Sequence, residues 1–357
     1  MKTLKEYLKI DEGLLNHFKD LRTRYRKLYE TPQDCQPMII VDTSPNLPCG
    51  EELFFDPAVG LRRELDVLRP HFEMRDDYVP CVRVNFGTAQ VAAAYGCELY
   101  IPANSTPAAS SHVLTRIEDA FDLKVPDINA GWYGKLHEWT EMWLDALPEG
   151  IEIQHPDIQS PFNSAHLIRG NDIFTDFYDN PKALDALLAN VTDFMIKLTP
   201  VLKNKISSDT KYFYDWGCMW AGAARISNCT MHLIAPELYI NHVMKHDKRF
   251  FEAGGGGRIH YCGENRKMAE LFFSLEKVSG CDASPPYKDA PFEVCSAIPP
   301  NKVPFIPIGR RNSEVCKSIL NGNLPEKRNI ILRAYAPDTE SGKALLNDLR
   351  SIFLKRQ

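Results

Sequence analysis

Arg258-Ile259-His260-Tyr261-Cys262-Gly263-Glu264 is the stretch whose residue types and spacing best suit chemistry. It reads as a short strand that ends at a glycine, with a helix starting near Glu264. Side chains two apart on a strand point to the same face, with Cα atoms about 6–7 Å apart. An imidazole and a thiolate so placed converge on one zinc ion, and a catalytic zinc takes three protein ligands and leaves one position open. The competing reading is a packed histidine beside a buried thiol. A second stretch, Ile151–Pro161, puts His155, Asp157 and Gln159 on one parity at the end of another strand. That pattern suits a pocket and equally suits a hydrogen-bonded turn capping the next helix. A third candidate is Asp215-Trp216-Gly217 with Arg225-Ile226-Ser227-Asn228-Cys229 after it. Arg225 there either clamps a carboxylate or phosphate with two parallel hydrogen bonds or belongs to a structural ion pair. The glycine run Gly254–Gly257 is no phosphate cradle, because it follows a helix, precedes a strand and is not followed by Gly-Lys-Ser/Thr.

These residues need elements to position them. After an opening of amphipathic helical character, β-rich runs alternate with helical ones: strand-like Val79–Phe86, Glu98–Ile101, Ile151–Asp157, Lys211–Asp215, Ala224–Cys229, Arg258–Cys262, Val303–Ile308 and Asn329–Ala334. Alternation over this length argues for a parallel sheet. The number of strands and the chain length favour a closed (β/α)8 TIM-type barrel over an open sheet. The first strand–helix turn, Asn85-Phe86-Gly87-Thr88-Ala89, lacks the glycine fingerprint of a dinucleotide site, so no dinucleotide is expected. The expected organisation is a helical extension over residues 1–75 packed on a catalytic barrel over residues 76–357.

Composition narrows the partners. The 357 residues carry 42 Lys+Arg and 47 Asp+Glu, a formal net charge of −5, which advertises neither nucleic acid nor an anionic membrane. No apolar run approaches the roughly 18–20 residues of a spanning helix, and the N-terminus lacks the apolar core of a signal peptide, so cytoplasmic residence is expected. The 10 cysteines are spread out without Cys-x-x-Cys pairs, which argues against a disulfide scaffold or a zinc finger. Trp139 and Trp143, four apart on one helix face, either pack on the barrel or face a partner chain.

The strings Ile151–Gly170, Phe177–Pro181, Ser227–Tyr239 and Arg258–Glu264 together resemble the uroporphyrinogen decarboxylase-like superfamily, over roughly residues 78–355. That superfamily holds the haem-pathway decarboxylase and zinc-dependent methyltransferases that move a methyl group between a corrinoid protein and coenzyme M or another acceptor. The resemblance implies a distorted (β/α)8 barrel. The decarboxylase's Met-Arg-Gln-Ala-Gly-Arg string, whose arginines grip substrate carboxylates, has no counterpart here; Met74-Arg75-Asp76-Asp77 does not supply it. The methyltransferases' His-x-Cys pair matches His260 and Cys262. Their third ligand, a cysteine near the last strand, should fall at residues 331–336, where the chain reads Ile331-Leu332-Arg333-Ala334-Tyr335-Ala336. Asp338, Glu264 or Cys295 is then the replacement, or no metal binds.

Three readings follow from the resemblance. On the first, the chain is a corrinoid-linked methyltransferase acting on a small molecule, with a corrinoid brought only by a partner protein. His260 and Cys262 then carry zinc, Asp157 is general base or substrate ligand, and Asn228 and Arg333 line the mouth. Asn85, His155, Gln159, Arg225 and Tyr335 complete the substrate-binding set, and a homodimer is expected by analogy with relatives. On the second, it is a decarboxylase of a porphyrinogen or other carboxylated substrate, with Arg333 or Arg225 on the carboxylates. On the third, it is a barrel that binds a ligand without catalysis.

Overall fold

The computed structural model describes residues 2–31, 36–44, 47, 50–207, 209–284, 292–325 and 328–355; Cys35 and Cys49 lie outside the described residues. The chain is a mixed α/β fold built on a six-stranded sheet in the order β1-β12-β11-β10-β9-β8, all neighbours parallel. These strands are β1 (Met38–Thr43), β8 (Ala224–Ser227), β9 (Gly257–His260), β10 (Val278–Asp282), β11 (Val303–Arg310) and β12 (Ile331–Ala336). The short strands β2 (Cys81–Val82) and β5 (Glu152–Ile153) pair in parallel beside them. Two antiparallel hairpins complete the set: β3 (Leu99–Tyr100) with β4 (Ala108–Ala109), and β6 (Tyr212–Asp215) with β7 (Cys218–Ala221).

Helices pack on the sheet through apolar stripes and begin at side-chain caps. The helix Pro181–Ile206 starts with proline in its first turn and with the Asn180 side chain accepting from the Ala183 N–H. It buries Leu184, Leu187, Leu188, Val191, Met195 and Leu198 along one stripe. The last helix, Thr339–Leu354, is capped by Asp338, whose carboxylate accepts from the Ser341 N–H.

Strand membership differs from expectation in a physically informative way. Glu98–Ile101 and Lys211–Asp215 fall in the antiparallel hairpins, while 38–43 and 278–282 supply parallel strands that alternation did not reveal. Met38-Ile39-Ile40-Val41 is an unbroken apolar run buried on both faces, as a sheet covered by helices requires, so it shows no period of two. The 1–75 segment therefore contributes a strand to the sheet as well as helices, since β1 pairs with β12 along its whole length.

Both edges of the sheet are tied down. On the β1 side, the Asp77 N–H donates to the Ile39 carbonyl at 3.0 Å, and the Asp77 and Asp76 carboxylates accept from the Ile39 and Val41 N–H groups. On the β8 side, the Ser227 N–H donates to Ile158 and its carbonyl accepts from Ser160. The β6–β7 hairpin inserts between these parts. The Val79 N–H donates to the Gly217 carbonyl and the His155 N–H to Tyr214. Its two-residue turn puts Trp216 at φ 53° and Gly217 at φ 68°, the left-handed pair that tight hairpins favour. A Cβ on Gly217 would stand 2.2 Å from the Tyr78 ring, so glycine is demanded twice over.

Candidate metal centre

The centre is assembled where β8 and β9 end. Ser227 pairs with His260, and the Asn228 N–H donates to the His260 carbonyl, so Cys229 and Cys262 follow two residues beyond a matched pair. On neighbouring parallel strands that brings Cys229, His260 and Cys262 together, with one ligand atom of each within 4.8 Å of the others. Cys262 is exposed and the other two are half-buried, so the cluster has an open side.

His260 is held for ligation. Its Nδ1 lies 2.8 Å from Asp282 Oδ2, which also accepts from the Tyr261 N–H, while Asp282 Oδ1 accepts from Arg258. A carboxylate on Nδ1 keeps the proton there and leaves Nε2 bare as a ligand. Burial works against the charged imidazole, but Asp282 outweighs it and raises the His260 pKa. Hydrogen bonding to Cys229 and then to His260 pulls the Cys262 thiol down to about 4, and the same bond pushes Cys229 up. Two sulfurs and an oriented imidazole with an open side are the donor set that zinc favours.

Beneath the centre lies a buried charge network. Asp215 pairs with Arg83, Arg225 and Arg258; Asp157 pairs with Arg225, and Asp282 with Arg258. Three arginines thus face three carboxylates. Burial would raise the Asp215 pKa, but Arg225, Arg258 and Arg83 hold it well below the usual carboxylate range. Trp216, at the hairpin tip, lies 4.6 Å from the His260 ring, with the Arg258 and Arg333 guanidinium groups 5.4 Å and 5.3 Å from its own. Trp216 also lines a polar cavity of about 270 Å³, together with Asp42, Glu64, Arg83, Asn85, Arg333 and Tyr335, among others.

The sequence-derived candidates separate into groups. His260 and Cys262 form the centre, whereas Asn85, Arg333 and Tyr335 line the polar cavity, Arg333 gripping Asp42 through both arms of its fork. Asp157 belongs to the charge network, where burial would raise its pKa but Arg225 and then Arg83 hold it down. That makes it a weak base. Arg225 is wholly buried between Asp157 and Asp215, the structural ion pair among its two readings. Gln159 bonds Asp157 and Asn163, and His155 is buried against the Phe213 ring with Nδ1 on the Pro156 carbonyl. Asn228 is buried, and its side-chain NH2 donates to Asp247.

None of the expected replacement ligands joins the cluster. Asp338 is spent as a helix cap, Cys295 is buried in the core, and Glu264 is exposed. The third group is Cys229, which sequence reasoning missed. Its signal was present: Arg225-Ile226-x-x-Cys229 and Arg258-Ile259-x-x-Cys262 are the same short string on two adjacent strands. Asp282 and Asp42 were missed as well, whereas Trp216 lay in the third candidate stretch without a role assigned to it.

No protein-family model matches the chain, and no curated protein matches it. Among solved structures, its fold is similar to that of a methyltransferase from Methanosarcina mazei, at 13% identity and a TM-score of 0.68. The match covers 94% of this chain and 98% of that one.

Proposed function

We propose that this chain is a corrinoid-linked methyltransferase of the uroporphyrinogen decarboxylase-like superfamily, with zinc held by Cys229, His260 and Cys262 at the mouth of a closed (β/α)8 barrel. The observation that carries the proposal is the cluster itself, with Asp282 fixing which imidazole nitrogen faces it. The fold likeness to a methyltransferase agrees with it. Barrel closure is supported by the backbone bonds at both sheet edges, from Asp77 to β1 and between residues 158–160 and β8, with which a ring completed by β2 and β5 is compatible. The centre and the polar cavity then lie at the same end.

Zinc in this site would lower the pKa of an acceptor thiol enough to make it a nucleophile at neutral pH. The chain's own residues do the rest. Asp282 keeps the proton on His260 Nδ1, and Trp216 touches both the His260 ring and the polar cavity. The corrinoid arrives on a partner protein. The decarboxylase alternative gains no support, because the arginines it assigns to substrate carboxylates are already engaged. Arg333 holds Asp42, and Arg225 holds Asp157 and Asp215.

Two measurements test the proposal. Protein purified without chelator should contain about one zinc per chain, lost in Cys262→Ala. It should also accelerate demethylation of methylcobalamin by coenzyme M, followed by the absorbance change. Absence of zinc together with undiminished transfer by Cys262→Ala removes the metal. No transfer to any thiol, with saturable binding of a small molecule, favours a non-catalytic barrel.

A further inference from the structure

Lys135, on the helix Tyr133–Ala146, sits in a box of four aromatic rings. Its ammonium is 4.4 Å from the ring centre of Phe55, 4.7 Å from Trp132, 5.1 Å from Phe86 and 5.3 Å from Trp139. All four fall inside the roughly 6 Å over which a ring face attracts a cation. The rings brace one another: Phe86 meets Trp132 and Trp139 edge-on at 5.6 Å and 4.9 Å, and Phe55 meets Trp132 at 6.2 Å. Phe86 and Trp139 are buried, whereas Phe55 is 59% exposed, so the box is firm at the back and open at the front.

A lysine is an imperfect occupant of such a box. A primary ammonium carries three N–H donors, and rings offer them no lone pair. Here the Phe54 carbonyl takes one. Burial accordingly lowers the Lys135 pKa. A quaternary ammonium has no N–H to strand, spreads its charge over methyl groups and loses less hydration on entering. Lys135 reaches the box on a flexible stem from a helix surface and can swing out through the open side.

We propose that the box formed by Phe55, Phe86, Trp132 and Trp139 is a binding site for a quaternary ammonium group, and that Lys135 is a tethered cation which the ligand displaces. The box adjoins a cavity of about 190 Å³ that Phe54 and Trp139 line together with Glu64, Arg83 and Asn85. The last three also line the cavity beside Trp216, so the two cavities adjoin and offer the body of a ligand room beyond the box. The site stands on its own contacts and does not depend on the proposed transfer chemistry.

Tetramethylammonium chloride is the probe, with sodium chloride at equal ionic strength as the control and tryptophan fluorescence as the readout. The wild-type chain should show a saturable change that sodium chloride does not produce. Lys135→Ala, which empties the box, should bind at least fivefold more tightly. Phe55→Ala removes an exposed ring whose loss the fold tolerates, and it should weaken binding at least fivefold; Trp132→Ala should abolish it. The proposal is overturned if neither the wild type nor Lys135→Ala gives a saturable change. It is also overturned if Lys135→Ala binds no more tightly than the wild type, or if Phe55→Ala leaves the affinity of Lys135→Ala unaltered in the double variant.

Discussion

Replacing Asp282 by Asn should weaken zinc binding without touching a ligand. Asp282 accepts three hydrogen bonds, from His260 Nδ1 at 2.8 Å, the Tyr261 N–H at 2.9 Å and Arg258 at 2.8 Å. Asparagine keeps one oxygen and turns the other into a donor. With its oxygen toward Arg258, its NH2 group faces His260, and the imidazole proton moves to Nε2, where it blocks ligation. With its oxygen toward His260, the NH2 group abuts a buried guanidinium, which the network disfavours. The first arrangement wins because it keeps an acceptor on the buried Arg258 guanidinium, which otherwise faces an NH2 group and retains only Asp215. Loss of such an outer partner typically lowers metal affinity about 10–100-fold, or about 1.4–2.8 kcal/mol. Competition against a chromophoric zinc chelator measures this directly. Asp42→Asn is the control, since it breaks the Arg333 pair without contacting the cluster, and it should lower stability while sparing zinc affinity. If Asp282→Asn binds zinc within twofold of wild type, the assignment of His260 Nε2 as a ligand oriented by Asp282 is wrong.

Three further outcomes are expected. Cys229→Ser should cut the zinc content of the purified protein well below one per chain, whereas Cys295→Ser should leave it unchanged by metal analysis. Asp215→Asn removes the carboxylate shared by Arg83, Arg225 and Arg258, and should cost about 3–5 kcal/mol in denaturant unfolding. Burial raises the Asp247 carboxyl to about 7, against weaker opposing bonds from Asn228 and Tyr239. The folded state therefore prefers it protonated: stability is fullest below the unfolded pKa near 4 and falls as pH rises toward 7, by about 4 kcal/mol in all. Asp247→Asn should abolish that decline, so its melting temperature should exceed wild type at pH 8 by more than at pH 5; equal differences at both would refute the account.

Much of the fold was legible because the alternation of β-rich and helical runs marks parallel α/β architecture. Errors fell where local signals mislead. Lys211–Asp215 reads as one more parallel strand, yet the left-handed Trp216-Gly217 turn sends the chain straight back as an antiparallel partner. Met38–Val41 is too uniformly apolar to show a strand period. Polar residues at strand ends proved ambiguous, since the pattern that makes a pocket also makes a buried ion network. Asn85, Arg333 and Tyr335 went one way, Asp157 and Arg225 the other.

Residue order alone placed His260 and Cys262 on one face, because the two-residue period of a strand is a local property of the backbone. The third ligand could not be settled in that way. Cys229 meets them only because β8 and β9 lie side by side in a register that pairs Ser227 with His260. Register between strands is a product of packing across the whole sheet, and residues more than thirty positions apart become neighbours only once that packing is complete.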